Sequence, residues 1–431
     1  MPETVPEPET SAAPRRKSLW RNQDFLKFWT AQSTSNLGQL MSVLPLVAIL
    51  ALGARPYEMA IIGGASAAAG LAFGLIAGPW VDRTRRRMVL VVTDLGRALS
   101  IASIPVAHFL FELRIEHLYV VAFTNGSLGI FNEVASRAYL PSLVDRDRLL
   151  EANSKTAASD AVVEQIGFSV GGFIAQLASA ISASVVQAIT FAVSGLLILT
   201  IRRPEPQPVS VNRERNIRRE LIEGYRFIAG HQLLRIVAIS GAVSSGAGGI
   251  IGGMITLFAI TEIGFQPGPL GVIYGTGGIS SFIGAIYATR VTRRLGVGPT
   301  MATGAIIFGA IGFLIPLAPT QIWIATVFFV LPQILGDGFA MMHNINEVSL
   351  QQAVTPEHLR GRVASALKVS EKLAMLIGVS IAGVVAELAG LRVALGMGFA
   401  ILLIAGLVLL HPAIRNLRDM PEQVAEAGMP A

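Results

Sequence analysis

Apolar stretches of about 20 residues recur twelve times between residues 28 and 411. Each is long enough, as a helix, to cross a hydrocarbon core of roughly 30 Å. The spans read as 28–52, 58–80, 88–110, 117–138, 158–180, 182–201, 235–262, 268–290, 298–318, 321–345, 363–389 and 391–411. Inside lipid the chain must satisfy its own backbone hydrogen bonds, so only helices and closed barrels qualify. Barrel strands would alternate apolar and polar over about ten residues. These stretches do not alternate, and runs such as IGGASAAAG at 62–70 supply the small residues that let membrane helices approach closely. The expected fold is an all-α membrane protein. With 52% apolar and 14% charged residues, against roughly a quarter charged in a soluble domain, the lipid bilayer is its solvent.

Basic residues set the orientation, because Lys and Arg in short loops are retained on the cytoplasmic side. One set of alternate loops holds Arg15, Arg16, Lys17, Arg21 and Lys27, then Arg83 to Arg87, then the segment from Arg137 to Lys155. The central loop continues the series with Arg202, Arg203, Arg213, Arg215, Arg218, Arg219, Arg226 and Arg235. The other set holds Arg55, Arg114 and Arg392. Both termini are therefore expected in the cytoplasm, in a multi-pass protein of an inner or plasma membrane. The formal charge of +6 follows from this topology, and nucleic acid is not an expected partner.

Several chemistries are excluded. There is no cysteine, hence no disulfide, thiolate metal site or thiol nucleophile. The six histidines, His108, His117, His231, His343, His358 and His411, show no metal-binding spacing. No GxxxxGK[ST] occurs, so no P-loop binds ATP. No cofactor, metal or enzymatic activity is expected, and energy must come from a gradient or a partner. The first 14 residues, MPETVPEPETSAAP, are Pro- and Glu-rich and lack the basic-then-apolar layout of a cleaved signal.

The chain repeats itself. Asn132, Glu133 and Val134 are answered by Asn346, Glu347 and Val348. Ser159 and Asp160 match Ser370 and Glu371, Gly167 matches Gly378, Gly172 matches Gly383, and AQLA at 175–178 matches AELA at 386–389. The division expected is a tail at 1–27, a six-helix half at 28–201, a central loop at 202–234, a second half at 235–411, and a tail at 412–431. Two homologous six-helix halves are the design of a rocking transporter with its substrate site between them.

The charged hairpin GPWVDRTRRR at 78–87 carries a family resemblance. Gly78, Asp82, Arg83, Arg86 and Arg87 match the signature between the second and third helices of the major facilitator superfamily, although Arg85 stands where that motif usually has Gly. A worn second copy places Arg290, Arg293 and Arg294 opposite Arg83, Arg86 and Arg87, with Thr289 for Asp82. Motifs LPSLV at 140–144, LLEAN at 149–153 and TPEHLRGRV at 355–363 resemble the bacterial branch of enterobactin-exporter-like and macrolide-efflux-like proteins. Two positions depart from that branch. The first helix reads Gly38-Gln39 instead of Gly-Asp, and the fifth reads Gly167-Phe168 instead of Gly-Pro.

The resemblance implies twelve transmembrane helices in two pseudo-symmetric halves. It also implies export of a hydrophobic or amphipathic small molecule by alternating access, in exchange for protons and by a monomer. Alternatives are a proton-coupled uptake symporter, a lipid flippase and a non-transporting scaffold or sensor. Asp82 is expected to accept from a helix N-terminus and pair with Arg, while Arg86 and Arg87 bridge to acids such as Asp94 when the cytoplasmic gate closes. Asp94 and Arg97, spaced i, i+3, can pair on one helix face.

Asp337 lies within the apolar run FFVLPQILGDGFAMM, where a charge costs about 3 kcal/mol or more unless paired or hydrated. Pro332, Gly336 and Gly338 would let that helix bend. Asp337 is the first candidate for proton coupling, followed by the repeat-related Glu133 and Glu347, for which gating pairs such as Glu133 with Arg137 are also expected. Asp160 and Glu371 begin helices, where a carboxylate complements the positive end; Glu164 lies one turn deeper. His343 reads as a polar lining residue. Asn36, Gln39, Ser42, Ser244, Met254 and His343 are the cavity candidates, with Phe258 adding apolar surface. The stretch SSGAGGIIGG at 244–253 either leaves room for a ligand or packs helices closely.

Overall fold

The computed structural model describes residues 19–145, 148–205 and 217–421, which contain helices and no strand. Arg15, Arg16, Lys17, Arg213, Arg215 and the outer parts of both expected tails lie outside these residues. In chain order the helices are α1 (Gln23–Leu40), α2 (Val43–Leu52), α3 (Pro56–Phe73), α4 (Ala77–Asp82), α5 (Arg86–Leu110) and α6 (Ile115–Leu143). There follow α7 (Leu149–Leu177), α8 (Ala180–Leu199), α9 (Ile217–Gly230), α10 (Gln232–Thr261), α11 (Pro267–Leu295) and α12 (Val297–Gly312). The last are α13 (Leu314–Leu317), α14 (Ile322–Leu331), α15 (Asp337–Val354), α16 (Arg360–Ala389), α17 (Leu391–Val408) and α18 (Pro412–Arg415).

Among the described residues, nine helical runs are long and apolar enough to cross a membrane. The other three expected spans fall on α3 with α4, on α6 and on α7. Small residues dilute the hydropathy of α3, and α6 and α7 carry acids and bases, including Glu133, Arg137, Asp160 and Glu164. The sequence-based boundaries miss local breaks. The first crossing is interrupted between α1 and α2, where Ser42 has φ 49° and is left-handed. A non-glycine side chain held there costs of order 1–3 kcal/mol. The tenth crossing contains a π-helical turn, Pro332–Gly336, directly before Asp337.

The same packing pattern occurs twice. In the first half α1 packs on α7 and α8, α3 on α6, and α5 on α6 and α8. In the second half α10 packs on α16 and α17, α11 on α15, and α12 on α15 and α17. The two sets meet through α3 with α16 and α7 with α11. Glycines allow this approach: a Cβ on Gly172 would overlap the carbonyl of Pro267, and one on Gly271 that of Phe168. Gly383 meets Ala60 and Tyr57 in the same way.

The distribution of core residues shows which end is closed. One large cluster joins both halves away from the hairpin, including Val47, Met59 and Ala175 with Leu270, Val379 and Leu395. At the hairpin end the cores are separate. Phe25, Phe28, Val89 and Tyr139 form one, and Ile228, Val297, Leu350 and Val363 another. The halves are thus welded at the far end and parted at the hairpin end.

The central loop contains a helix, α9. In α9 the buried Gly224 and Ile228, with Leu221 and Phe227 beside them, form an i, i+3, i+6, i+7 stripe against α16. Glu223 bridges Arg219 and Arg362 on its flank. The start of the expected C-terminal tail is ordered too. Val297 N–H and Gly298 N–H donate to the carbonyls of Arg418 and Leu417 at 3.1 and 2.9 Å.

Candidate functional site

A cavity of about 840 Å³ lies within the first half. Its wall comes from α1, α2, α3, α5, α6, α7 and α8, and it reaches Glu133, Arg137 and Asn153 towards the hairpin end. Asn36, Gln39 and Ser42 line it. So do Gln32, Asn125, Asn132, Thr156, Asp160 and Gln187, which the sequence reading missed. The break before Ser42 places its strained backbone in this wall.

The apolar residues expected to join these polar ones lie elsewhere. Met254 and Phe258 are fully buried in the core, Phe258 stacking on Phe329, so neither offers surface to a ligand. Ser244 is half-buried and does not line the cavity. The glycines of α10 divide between the two uses allowed for them. Gly246 and Gly249 pack on the backbone of α16, whereas Gly248, Gly252 and Gly253 face open space.

Behind the cavity wall sits a buried ionic centre. Asp94 is 0% exposed and Arg97 4%. Asp94 Oδ1 accepts from Ser35 Oγ and Asn132 Nδ2, both at 3.0 Å, and Oδ2 accepts from Ser194 Oγ at 2.5 Å. The expected i, i+3 pair with Arg97 is present but long, at 3.8 Å. Arg97 donates to Gln39 Oε1 at 2.9 Å and lies 3.9 Å from the centroid of the Phe191 ring. The polar side chains of α1, α5, α6 and α8 are thereby tied into one network. Arg97 Nε, Gln32 Oε1 and Gln187 Oε1 are buried without a hydrogen-bond partner, which leaves unused polar capacity around the cavity.

This centre changes the reading of the hairpin. Asp94 is held by Ser35, Asn132, Ser194 and Arg97, and Arg86 and Arg87 bond elsewhere in this conformation. The carboxylate of Glu205 accepts from the backbone N–H groups of Arg86 and Arg87 at 2.8 and 3.2 Å, capping the positive end of α5. Arg87 donates to the carbonyls of Ile198 and Leu199 at 3.2 and 2.5 Å, at the negative end of α8. The helix-end acceptor expected of Asp82 is supplied by Glu205, more than a hundred residues away in sequence, and Asp82 and Arg83 are exposed. Gly78 sits in α4 with nothing near its missing Cβ.

Asp337 follows the π-helical turn and faces α11 at Gly277, where any side chain would displace its carboxylate. Ser280 stabilises the irregular backbone, donating to Ile334 O at 2.5 Å while its oxygen accepts from Gly338 N–H at 2.9 Å. Asp337 thus sits near the junction of the halves, where α11 packs on α7, the helix that carries Glu164. A π-turn beside an intramembrane acid is the kind of irregularity that accompanies functional sites.

The repeat-related acids have different partners. Glu133 pairs with Arg137 at 2.7 Å, in the open, with side chains 59% and 74% exposed. Glu347 lies 3.2 Å from His343 Nε2, both side chains largely buried at 17% and 16% exposed. His343 Nδ1 is 3.0 Å from the Met301 carbonyl, so His343 packs between α15 and α12. Asp160 accepts from Asn36 Nδ2 at 2.7 Å, while its counterpart Glu371 shares the neighbourhood of Gly241 with Glu347.

The description "Major Facilitator Superfamily" belongs to a family model matching residues 28–379. A multidrug efflux pump, Tap of Mycolicibacterium fortuitum, is 29% identical over 359 residues, covering 80% of this chain and 84% of that protein. The MFS-type transporter YfiS of Bacillus subtilis is 23% identical over 407 residues, 91% of this chain and 94% of its own. Among solved structures, a bacterial homologue of the iron transporter ferroportin in an inward-facing state superposes with a TM-score of 0.71 at 16% identity, covering 91% of this chain and 99% of that one. The nucleoside transporter NupG does so with 0.69 at 14%, covering 90% and 98%.

Proposed function

This chain belongs to the major facilitator superfamily, and from that premise we propose that it exports an amphipathic small molecule across the cell membrane by alternating access, in exchange for protons. The observation that carries the reading is the cavity of about 840 Å³ that reaches the hairpin end while glycine contacts seal the opposite end. Likeness to the efflux pump Tap supports the direction. The chain works as a monomer with both termini in the cytoplasm, which places the open mouth on the cytoplasmic side.

Residues 28–201 and 235–411 are the two moving units. Substrate enters between them from the cytoplasm and binds against Gln32, Asn36, Gln39, Asn125 and Gln187. These groups require a solute with hydrogen-bonding groups, which narrows the hydrophobic-or-amphipathic class to its amphipathic members. Closure then brings the hairpin ends of the halves together and opens the contacts of α3 with α16 and of α7 with α11. Protonation of Asp337 from outside favours the return, because only a difference in affinity between the two states can drive a conformational shift. One proton moving through 100 mV supplies about 2.3 kcal/mol, enough for a concentration ratio of about 50 at roughly 1.4 kcal/mol per tenfold.

Expression in an efflux-deficient bacterium, with energised accumulation of macrolides, dyes and siderophores measured with and without a protonophore, tests the proposal. Lower accumulation that the protonophore abolishes is expected. Higher accumulation would establish uptake and overturn the direction.

A further inference from the structure

The contacts of His343 fix where hydrogens must lie. Its Nδ1 is 3.0 Å from the carbonyl oxygen of Met301 on α12. A carbonyl only accepts, so Nδ1 carries a hydrogen. In a neutral imidazole Nε2 would then present a lone pair. That nitrogen faces Glu347 Oε2 at 3.2 Å, and an ionised carboxylate also only accepts. Two lone pairs do not attract at that distance, so a proton lies between them.

We propose that His343 and Glu347 form a proton-binding pair, with the proton carried on Nε2 of His343 in this conformation and surrendered as the movement of the two halves changes the surroundings of the pair. The part this pair takes in transport rests on the proton-exchange reading above; its proton content does not.

The surroundings favour a site that loads and unloads. Both side chains are largely buried, at 16% and 17% exposed, so their interaction is poorly screened by solvent. Gln351 Nε2 holds the other carboxylate oxygen at 3.3 Å. The position facing the pair on α10 is Gly241: a Cβ there would stand 3.4 Å from a Glu347 oxygen and 3.6 Å from a Glu371 oxygen. On α12 the neighbours are the Met301 carbonyl and the backbone at Gly304. The charged groups opposite are on α16, where Glu371 approaches the same Gly241 position as Glu347 and Lys368 and Lys372 stand beside it in the chain. A second carboxylate beside the pair attracts the proton. The repeat supplies the contrast. Glu133 is paired with a guanidinium, which does not give up its proton, at an exposed mouth. Glu347 alone of the two has a partner whose charge can change.

Nitrogen-15 spectra of histidine-labelled protein in nanodiscs at pH 7.5 read the ring directly, with His343→Gln assigning the signal and His343→Asn replacing it if that variant does not fold. Two protonated-type ring nitrogens on His343 in the wild type, and one after Glu347→Gln, are expected. A wild-type His343 with one protonated nitrogen overturns the proposal. In energised everted vesicles, His343→Gln and Glu347→Gln should lose accumulation against a gradient and keep downhill exchange of the same compound. Retained uphill accumulation would overturn the pair's role in coupling. If the wild type moves no compound at all, the export reading fails and the spectrum still decides the pair.

Discussion

Removing the carboxylate of Asp94 strands a cation. In Asp94→Ala the Arg97 guanidinium, 4% exposed, loses its counter-charge, and Ser35, Asn132 and Ser194 lose their common acceptor. Breaking one side of a buried pair costs about 3–5 kcal/mol, a factor of about 10²–10³ or more in the folded-to-unfolded ratio. The Arg97 bonds to Gln39 and the face of Phe191 spread the charge without neutralising it. Arg97→Met leaves Asp94 with its three neutral donors and should cost less. The decisive variant is Asp94→Ala with Arg97→Met. Taking away the stranded cation should recover about 2 kcal/mol, since the orphaned hydroxyls can turn to helix carbonyls and Asn132 already donates to Thr93 Oγ1 at 2.9 Å. Thermal unfolding of the four proteins in one detergent, followed by tryptophan fluorescence, gives the order. Wild type should be highest, Asp94→Ala lowest and the double variant between them. A double variant no more stable than Asp94→Ala refutes the argument that a buried, uncompensated charge dominates.

Further outcomes follow from the seal, the hairpin and the mouth. Gly172→Ala or Gly271→Ala places a methyl against the carbonyl of Pro267 or Phe168 and should part α7 from α11. A reporter cysteine at Ile273, in a chain with no other cysteine, would then react with an impermeant thiol reagent from the far side, and unchanged labelling would contradict the seal. Glu205→Gln weakens two charge-assisted bonds to the first turn of α5, worth about 1.5–3 kcal/mol. Amides of residues 86–90 should exchange at least about tenfold faster, and an unchanged rate would remove Glu205 as the anchor. Glu133→Gln breaks an exposed pair and should cost under about 1 kcal/mol, with uphill transport intact; loss of coupling in this variant would move the proton site to the first half.

Features encoded locally were legible in the sequence. Apolar length located the spans, i, i+3 spacing paired Asp94 with Arg97, i, i+4 spacing paired Glu133 with Arg137, and Pro332 with Gly336 marked an irregular tenth helix. Partners supplied by distant helices were not. Ser194 and Ser35 look like any small hydroxyl in a membrane helix, and Glu205 gives no sign that it caps α5. Met254 and Phe258 were misplaced because an apolar core and an apolar cavity have the same composition. The four-residue step from His343 to Glu347 was visible, yet only the Met301 carbonyl on the other side of the ring gives it a chemical meaning.

Proton-coupled export is tested most directly with purified protein in liposomes, with an imposed pH gradient as the sole energy source and a compound identified in the cell assay. The wild type is expected to move the compound uphill against the direction of proton flow, and Asp337→Asn to retain downhill movement while losing its dependence on the gradient. Movement with the protons, or an Asp337→Asn variant that still concentrates the compound with unchanged pH dependence, would contradict it.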